Sequence, residues 1–342
     1  MTFEKYLTKT VPFVEKELDY FLKDFLTCFK AYKRLLPFFS AFIDANKNGK
    51  RIRGSLIVLG YELSGKKADK KIYQLAALFE LIQTGLLIHD DLIDRSDLRR
   101  GRPSIYAQFG SGHYAISQGI SLGDLAFFYA EEKLSELNFS NGIQTQLSKE
   151  INSILSDTLI GQLLDVSLQH GGTIPNEEDI FLMIDKKTAV YTFSGPLHLG
   201  SIAQGVKKST QTIYKFGKHL GIAFQIQDDI LGIYGDESVI GKSNKSDIQE
   251  GKMTVLYAYA LSHITKAQRM KLAKIYGYKN ILAYDVETVR NIFDKSGARK
   301  HAEKIARAHF DNALSGVEKV TTNKQYQALL FSLIEYIKHR NK

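Results

Sequence analysis

The residues best suited to chemistry lie together in one stretch of the chain, Glu80 to Pro103. It begins with an apolar run, Leu81 to Ile88, that leads directly into acidic residues. Four aspartates fall within eight residues, and arginines follow at once: Asp90, Asp91, Asp94, Asp97, Arg99, Arg100 and Arg102. Carboxylates and guanidinium groups beside an apolar wall suit a substrate with a diphosphate head and a hydrocarbon tail.

The spacing of these residues predicts how they are presented. Apolar periodicity predicts one helix over 74–94, and residues four apart share a helix face. Ile82, Leu86, Asp90 and Asp94 would therefore form one stripe, apolar at its start and acidic at its end. Like charges in this relation destabilise a helix, so Asp90 and Asp94 together favour a bound cation. Their oxygen ligands fit Mg²⁺ held jointly by carboxylates and substrate phosphates. A solvated acidic helix end is the alternative for this stretch alone.

Four further segments carry residues of the same chemical types. In GKRIRG, Gly49 to Gly54, Lys50 and Arg53 share a helix face that offers a point charge and a bidentate fork to a phosphate. Arg51, which lies between them, is expected to be solvated. The other segments are, in order, KTAVY (187–191), FQIQDDILGIYGD (224–236) and GKSNKSDIQEGKMT (241–254). These five segments, in this order, resemble those of the trans-isoprenyl diphosphate synthases, the polyprenyl synthetase family.

The resemblance implies an all-α fold of the isoprenoid synthase type. A single large helical bundle of ten or more helices would surround a deep central active-site cavity, and one domain would cover residues 1–342. The implied enzyme is a prenyltransferase that condenses isopentenyl diphosphate head-to-tail with an allylic diphosphate and releases pyrophosphate. The two aspartate-rich motifs would face each other across the mouth of the cavity. The resemblance also implies a homodimer, for which the sequence offers no independent evidence.

The same resemblance implies a role for each site residue. The metal ligands would be Asp90, Asp94 and Asp228, holding Mg²⁺ against the allylic diphosphate. Fixed positive charge near the diphosphates would come from Lys187, Lys242, Lys252 and Arg99. Isopentenyl diphosphate would be bound by Lys50, Arg53, Gln83 and Arg100. The oxygens of Thr188 and Gln225 would point towards the allylic cation.

Two positions depart from the family's pattern. Gln83 stands where the family commonly has a histidine, and a glutamine donates a hydrogen bond without carrying charge, so this contact should be weaker. The family's second motif usually has a third acid four residues after the first of its pair, where this chain has Gly232. We expect Gly232→Asp to leave activity unchanged or to strengthen the Mg²⁺ dependence.

Product length is predicted from the residues before Asp90. In the family, the positions four and five before the first aspartate form the floor of the hydrocarbon tunnel, and here they are Leu86 and Gly85. Helix geometry puts Leu86 about 6 Å and Ile82 about 12 Å above Asp90. Neither floor position carries an aromatic ring, which predicts a product of twenty carbons or longer, with geranylgeranyl diphosphate the best guess. Gly85→Phe should then shorten the product. The alternative is that Gly85 lets two helices pack closely.

Composition narrows the class of protein. The chain is 44% hydrophobic and has no low-complexity linker, which is typical of a globular domain. Its net charge of +9 comes without a nucleic-acid motif, so we expect diphosphate substrates and no nucleic acid. The single Cys28 suits a reducing cytoplasm. No signal peptide is expected, and the most apolar segment, 75–88, is too short to span a bilayer, so no stable membrane insertion is expected.

Three local expectations concern the elements around the site. Two amphipathic helices are expected over 1–44, with Pro37 interrupting the second. The segment GISLGD, 119–124, is expected to begin a further helix. Gln162 and Asp165, three residues apart, are expected to form a structural hydrogen-bonded pair.

Other functions remain open. A class I terpene cyclase shares the DDxxD motif and the all-α fold, although the Asp228-Asp229 doublet and the Lys50/Arg53 pair argue against it. A non-catalytic partner subunit of a heteromeric synthase typically lacks the first motif, which is intact here. A farnesyl or longer-chain polyprenyl diphosphate synthase is the alternative within the family. A helical scaffold protein would not need five motifs in order.

Overall fold

The computed structural model describes residues 1–99, 101–110, 112–170, 175–205, 210–235 and 244–339. The α-helices are, in chain order, α1 (Phe3–Phe29), α2 (Leu36–Ala45), α3 (Ile52–Glu62), α4 (Lys70–Ile93), α5 (His113–Glu136), α6 (Asn141–His170), α7 (Glu177–Ile184), α8 (Gly195–Gln204), α9 (Thr210–Tyr234), α10 (Ser246–Gln249), α11 (Val255–His263), α12 (Lys266–Ala273), α13 (Ala283–Ser296), α14 (Ala298–Val320) and α15 (Lys324–Lys338). A π-helix spans Asp185–Ser194, and short 3₁₀ helices span Lys33–Leu35 and Tyr106–Phe109. A two-stranded antiparallel ribbon pairs β1 (Leu98–Arg99) with β2 (Arg102–Pro103). The predicted all-α fold of ten or more helices is confirmed.

Two compact units divide the chain. The N-terminal unit comprises Glu4–Glu150 and Pro196–Lys207, and the C-terminal unit comprises Met1–Phe3, Ile151–Gly195 and Lys208–Lys342. We describe each unit by itself. The single domain over the whole chain and the central cavity therefore stay predictions.

An aromatic cluster forms part of the core of the N-terminal unit. The fully buried ring of Phe25 on α1 lies 5.6 Å from that of Phe39, 5.0 Å from that of Phe42 and 5.1 Å from that of Tyr129. The Tyr129 hydroxyl is satisfied because it donates a hydrogen bond of 2.8 Å to the carbonyl of Phe21. Buried aromatic pairs of this kind add to the stability that burial alone provides. The Phe25 ring of α1 is therefore a core residue.

The long helix α4 carries the first aspartate motif. It starts four residues before the predicted boundary because the Asp69 side chain caps it, accepting a hydrogen bond from the Ile72 amide at 3.2 Å. It ends at Ile93, and Asp94 is its C-cap residue. With 24 residues, α4 extends beyond the apolar segment 75–88 at both ends and is the one helix in the described ranges long and apolar enough to cross a membrane. However, 78% of its most apolar stretch is buried inside the protein, which is typical of a core helix.

Two predicted boundaries were wrong. Pro37 does not interrupt α2 but lies in its first turn, where the missing N–H of proline removes no helical hydrogen bond. The segment 119–124 lies inside α5, which already begins at His113. A glycine within a helical pattern was there mistaken for a helix start.

The C-terminal unit is built around α9. Its buried isoleucines, at helical spacing, face a shared apolar core: Ile222, Ile226, Ile230 and Ile233. This helix packs against α14 and against the π-helix. In the π-helix, hydrogen bonds span five residues, as between the Gly195 amide and the Val190 carbonyl. Such segments often occur at functional sites.

Candidate active site

The first acidic pair lies at the C-terminal end of α4. Asp90 occupies the last turn, and the Asp94 amide donates a hydrogen bond of 2.9 Å to the Asp90 carbonyl. Both side chains are half-buried, while Ile82, two turns before Asp90, is buried in the core. The predicted stripe, apolar and then acidic, is therefore present on one helix.

Arg99 is bound to the same helix end. Its Nη2 donates to Oδ2 of Asp90 at 3.0 Å, and its Nε donates to Oδ1 of Asp91 at 2.8 Å. The pairing of β1 with β2 sets the backbone of Arg99 opposite that of Arg102. Burial raises the pKa of Asp91, and the hydrogen bond and charge of Arg99 oppose that rise. Asp91, which the sequence reasoning gave no role, is thus a buried anchor for Arg99.

Arg51 is not solvated, contrary to our expectation. Its side chain is only 5% exposed, its Nη2 donates to the carbonyl of Asn46, and its Nη1 lies 3.6 Å from Oε2 of Glu80 on α4. The residue adopts a left-handed backbone conformation, φ 50°, that turns the chain into α3. A buried guanidinium needs an acidic partner, and Glu80, nearly three turns before Asp90 on the same helix, provides it. A buried glutamate inside an apolar run was the signal in the sequence that could have predicted this.

Further contacts fasten the segment 46–54 to α4. Oε1 of Glu80 accepts a hydrogen bond from the Gly54 amide at 2.8 Å. The Thr84 hydroxyl donates to Oδ1 of Asn46 at 2.7 Å. The segment thereby presents Lys50, which is exposed, on a fixed backbone.

The other predicted ligands of isopentenyl diphosphate differ in their exposure. Arg53 is half-buried in the first turn of α3, and Gln83 is buried within α4. Arg100 lies outside the described residues. The roles of these residues remain predictions.

Gly85 faces another helix. A Cβ atom at this position would lie 2.7 Å from Cε1 of Phe127 and 3.0 Å from the carbonyl oxygen of Gly123, both on α5. At such distances a side chain would fit only if its neighbours moved. The contact favours the alternative, a glycine that lets two helices pack closely, and the place of Gly85 in the tunnel floor stays a prediction. Leu86, the next residue, is half-buried.

In the C-terminal unit, Lys187 of the π-helix is bound to α6. Its Nζ lies 2.6 Å from Oδ2 of Asp165, and Lys186 makes the equivalent contact of 2.7 Å with Asp157. The expected pair of Gln162 with Asp165 is therefore wrong, because the carboxylate takes a charged partner instead. A hydrogen bond to a charged group is roughly twice as strong as a neutral one.

A chain of hydrogen bonds joins the π-helix to the second acidic motif. The Thr188 hydroxyl donates to Oε1 of Gln225 at 2.8 Å, and Nε2 of Gln225 donates to Oδ1 of Asp229 at 2.8 Å. Burial, followed by the charges of Asp247 and Asp228, raises the pKa of Asp229 to about 7. Asp228 is exposed on the adjacent face of α9. The two aspartates of the doublet thus have different environments, and the exposed one is the predicted metal ligand.

The last lysine of the predicted site is paired as well. Nζ of Lys252 donates to Oδ1 of Asp247 at 2.9 Å and lies 3.2 Å from Oε2 of Glu250. Burial alone would lower the pKa of Lys252, but the charges of Asp247 and Glu250 raise it well above its ordinary value. The ammonium group therefore stays charged at neutral pH. Lys242 lies outside the described residues.

The acidic residues fit a hard divalent cation. Across the described ranges, no three His, Cys, Asp or Glu side chains are grouped so that they could hold a metal ion by themselves. Asp90 and Asp94 instead offer two carboxylates one turn apart, and all their donor atoms are oxygens. A Mg²⁺ ion commonly takes one or two carboxylates and completes its shell with water and substrate phosphates.

A family model for the polyprenyl synthetases matches residues 38–294 of the chain. The chain belongs to the polyprenyl synthetase family. It is a prenyltransferase, as predicted from the five motifs, and isoprenoid diphosphates are its class of substrate.

Curated members of the polyprenyl synthetase family and a solved structure agree with this assignment. The chain is 34% identical, over 86% of its length and 87% of the relative's, to the geranylgeranyl diphosphate synthase of Saccharolobus solfataricus. It is 31% identical to the geranylfarnesyl diphosphate synthase of Aeropyrum pernix, over 86% of this chain and 91% of that one. The crystal structure of geranylgeranyl pyrophosphate synthase from Corynebacterium glutamicum, complexed with isoprenyl diphosphate and magnesium, superposes with a TM-score of 0.87 at 27% identity, covering 99% of this chain and 100% of that one.

Proposed function

We propose that this prenyltransferase is a Mg²⁺-dependent geranylgeranyl diphosphate synthase. It would condense isopentenyl diphosphate head-to-tail with an allylic diphosphate and release pyrophosphate. One observation carries the proposal: α4 presents an apolar face that ends in Asp90 and Asp94, with Arg99 bound to the same helix end. A hydrocarbon tail along the helix and a diphosphate at its end match that arrangement.

The acidic and basic groups of the two units have complementary tasks. Each aspartate motif would hold Mg²⁺ together with substrate phosphates, through Asp90 and Asp94 in one and Asp228 in the other. When bound, Mg²⁺ neutralises charge on the leaving diphosphate. Arg99 and Lys187 provide fixed positive charge that needs no reorganisation as the carbon–oxygen bond breaks. Their carboxylate partners hold both groups in defined positions.

The segment 46–54 would bind the second substrate. Lys50 and Arg53 offer cationic groups to isopentenyl diphosphate, and the contacts with Glu80 and Thr84 fix the backbone that carries them. Such fixation lets binding energy orient the double bond towards the allylic carbon. A proton is then lost from the condensed product. We propose the departing pyrophosphate as its acceptor.

The proposal is tested by product analysis. The purified protein is incubated with isopentenyl diphosphate, Mg²⁺ and allylic primers of increasing length, and the products are dephosphorylated and chromatographed. We expect the alcohol with twenty carbons as the main product and no condensation in EDTA. A main product with fifteen carbons would contradict the predicted length alone, whereas activity in EDTA would contradict the metal-dependent reaction.

We also propose a homodimer. The large apolar side chains on one side of α5 are exposed: Ile116, Ile120 and Phe128. Phe128 is 74% exposed, which is costly for an aromatic ring unless another molecule covers it. A second copy of this chain, packed through α5, would remove these side chains from water.

A further inference from the structure

The space beside Gly232 on α9 is already occupied. A Cβ atom at this position would lie 1.9 Å from Oδ2 and 2.8 Å from Cγ of Asp247. Cβ atoms do not approach other atoms this closely, so any side chain at position 232 would force the Asp247 carboxylate to move. This overlap argues against our expectation that Gly232→Asp leaves activity unchanged, and that expectation stays a prediction.

The Asp247 carboxylate is buried and held by hydrogen bonds. Asp247 is 4% exposed, and its Oδ1 accepts the hydrogen bond of 2.9 Å from Nζ of Lys252. Its backbone carbonyl also accepts a hydrogen bond from the Lys252 amide at 3.1 Å. The Tyr276 hydroxyl in turn donates to the Lys252 carbonyl at 2.7 Å. The turn from Asp247 to Lys252 is thus fixed at both its backbone and its side chains.

The same carboxylate lies beside the second acidic motif. Position 232 is one turn after Asp228, so it lies on the same face of α9. Oδ2 of Asp247 fills the space beside that position, and Oδ1 of Asp247 accepts the hydrogen bond from Lys252. The Asp247 carboxylate therefore connects the acidic face of α9 with the lysine of the following segment.

We propose that Gly232 and Asp247 are an interdependent pair, in which the missing side chain of Gly232 admits the Asp247 carboxylate to the acidic face of α9 and Asp247 positions Lys252 there. Asp247 is thus a positioning residue for the reaction, and it lies on α10, whereas the acidic motif lies on α9. This inference rests on the proposed function, because it takes Lys252 to bind a substrate diphosphate, as the sequence analysis predicts.

Moving the carboxylate between the two positions tests the proposal. The variants are G232D, D247G and the double variant G232D/D247G, with G316A as the matched control. A Cβ at Gly316 meets nothing closer than Cδ2 of Phe216 at 3.8 Å. We expect each single variant to lose about tenfold to a hundredfold in kcat/KM, since a buried charged partner is displaced or lost. The double variant should recover most of that loss, because it restores one carboxylate to the space and removes the overlap.

A second measurement separates positioning from a general loss of folding. D247N keeps the shape of the side chain but removes its charge, so it should raise the KM for the allylic diphosphate more than that for isopentenyl diphosphate. Equal effects on both substrates, or losses in the double variant that equal the product of the single losses, would overturn the proposal.

Thermal unfolding of the same variants decides the steric part without any substrate. G232D should lower the melting temperature, D247G in the G232D background should raise it again, and G316A should leave it unchanged. A G232D melting temperature equal to that of the wild type would overturn the interdependence of the two residues. If the wild type forms no condensation product, the proposed function fails, and this unfolding cycle still decides whether Gly232 and Asp247 are coupled.

Discussion

At the scale of single residues, the functions of Asp90 and Arg99 cannot be separated from each other. The Asp90 carboxylate is a predicted metal ligand and also accepts a hydrogen bond from Arg99 at 3.0 Å. We expect Asp90→Ala to lower kcat by about a hundredfold or more, because a metal ligand and an anchor of the guanidinium are lost together. Steady-state kinetics with saturating Mg²⁺ measures this. Asp19→Ala, which removes an exposed carboxylate from α1, is the control. Unchanged kcat in Asp90→Ala would contradict the assignment of the first motif.

Arg51 and Lys50 are neighbours with different predicted effects on stability. Arg51 is buried beside Glu80, and the loss of one partner of a buried ion pair costs on the order of 3 kcal/mol. Lys50 is exposed, and surface substitutions usually change the free energy of unfolding by less than about 0.5 kcal/mol.

We therefore expect Arg51→Ala to lower the free energy of unfolding and Lys50→Ala to leave it nearly unchanged, as measured by urea unfolding. Both should raise the KM for isopentenyl diphosphate more than that for the allylic primer, because both disturb the segment 46–54. If Arg51→Ala were as stable as the wild type, the contact with Glu80 would not hold that segment.

At the scale of helices, the contact of α4 with α5 depends on Gly85. An added methyl group would overlap the Phe127 ring and the Gly123 carbonyl, and overpacking of this kind typically costs about 1–3 kcal/mol. We expect Gly85→Ala to destabilise the protein by such an amount and Gly85→Phe to do so more severely. Gly142→Ala on α6 is the matched control, since a Cβ there meets no atom within 4 Å. A stable Gly85→Phe enzyme that makes a shorter product would restore Gly85 to the tunnel floor.

Comparison of α4 with the contacts around it explains what the sequence could and could not predict. The helix, its acidic end and the stripe from Ile82 to Asp94 follow from local periodicity, and local periodicity is visible in one sequence. The partners of Arg51 and Lys187 are distant in the chain, and only folding brings Glu80 and Asp165 to them. Gly85 shows the limit most clearly. A glycine in a helix is compatible with both a tunnel and a close helix contact, and only the folded structure shows that it meets α5.

At the scale of the whole molecule, a half-buried pair of histidines links stability to pH. Nδ1 of His219 on α9 lies 3.1 Å from Nδ1 of His309 on α14. Burial, followed by the charges of His219 and Lys218, lowers the pKa of His309 to about 4 from an ordinary value of 6.5. In the unfolded chain, His309 is therefore protonated below about pH 6.5. In the folded protein, it stays neutral down to about pH 4.

We expect the free energy of unfolding to fall over that range as the pH is lowered, by at most about 1.4 kcal/mol per pH unit for this histidine. His309→Gln should flatten the dependence, as measured by urea unfolding at several pH values between about 7 and 5. His113→Gln, an exposed histidine, should leave the dependence as it is. An equally steep fall in the His309→Gln variant would show that other groups cause it.

The proposed homodimer makes a prediction about association. Because Phe128 is an exposed ring on the apolar side of α5, Phe128→Glu should place a charge in the interface and weaken the dimer. Light scattering coupled to size-exclusion chromatography should give the mass of two chains for the wild type and of one chain for the variant. Tyr278→Glu, which changes an aromatic residue of similar exposure in the C-terminal unit, should remain dimeric. A monomeric wild type would contradict the proposal.

The π-helix at Asp185–Ser194 makes the length of this segment critical. Because its hydrogen bonds span five residues, this segment contains one residue more than an α-helix of the same length would. Deleting a single residue here would let the segment relax to α-helical winding and rotate Lys187 and Thr188 away from Asp165 and Gln225. A substitution in this segment therefore changes one side chain. A deletion would instead move Lys187 and Thr188 out of position at the same time.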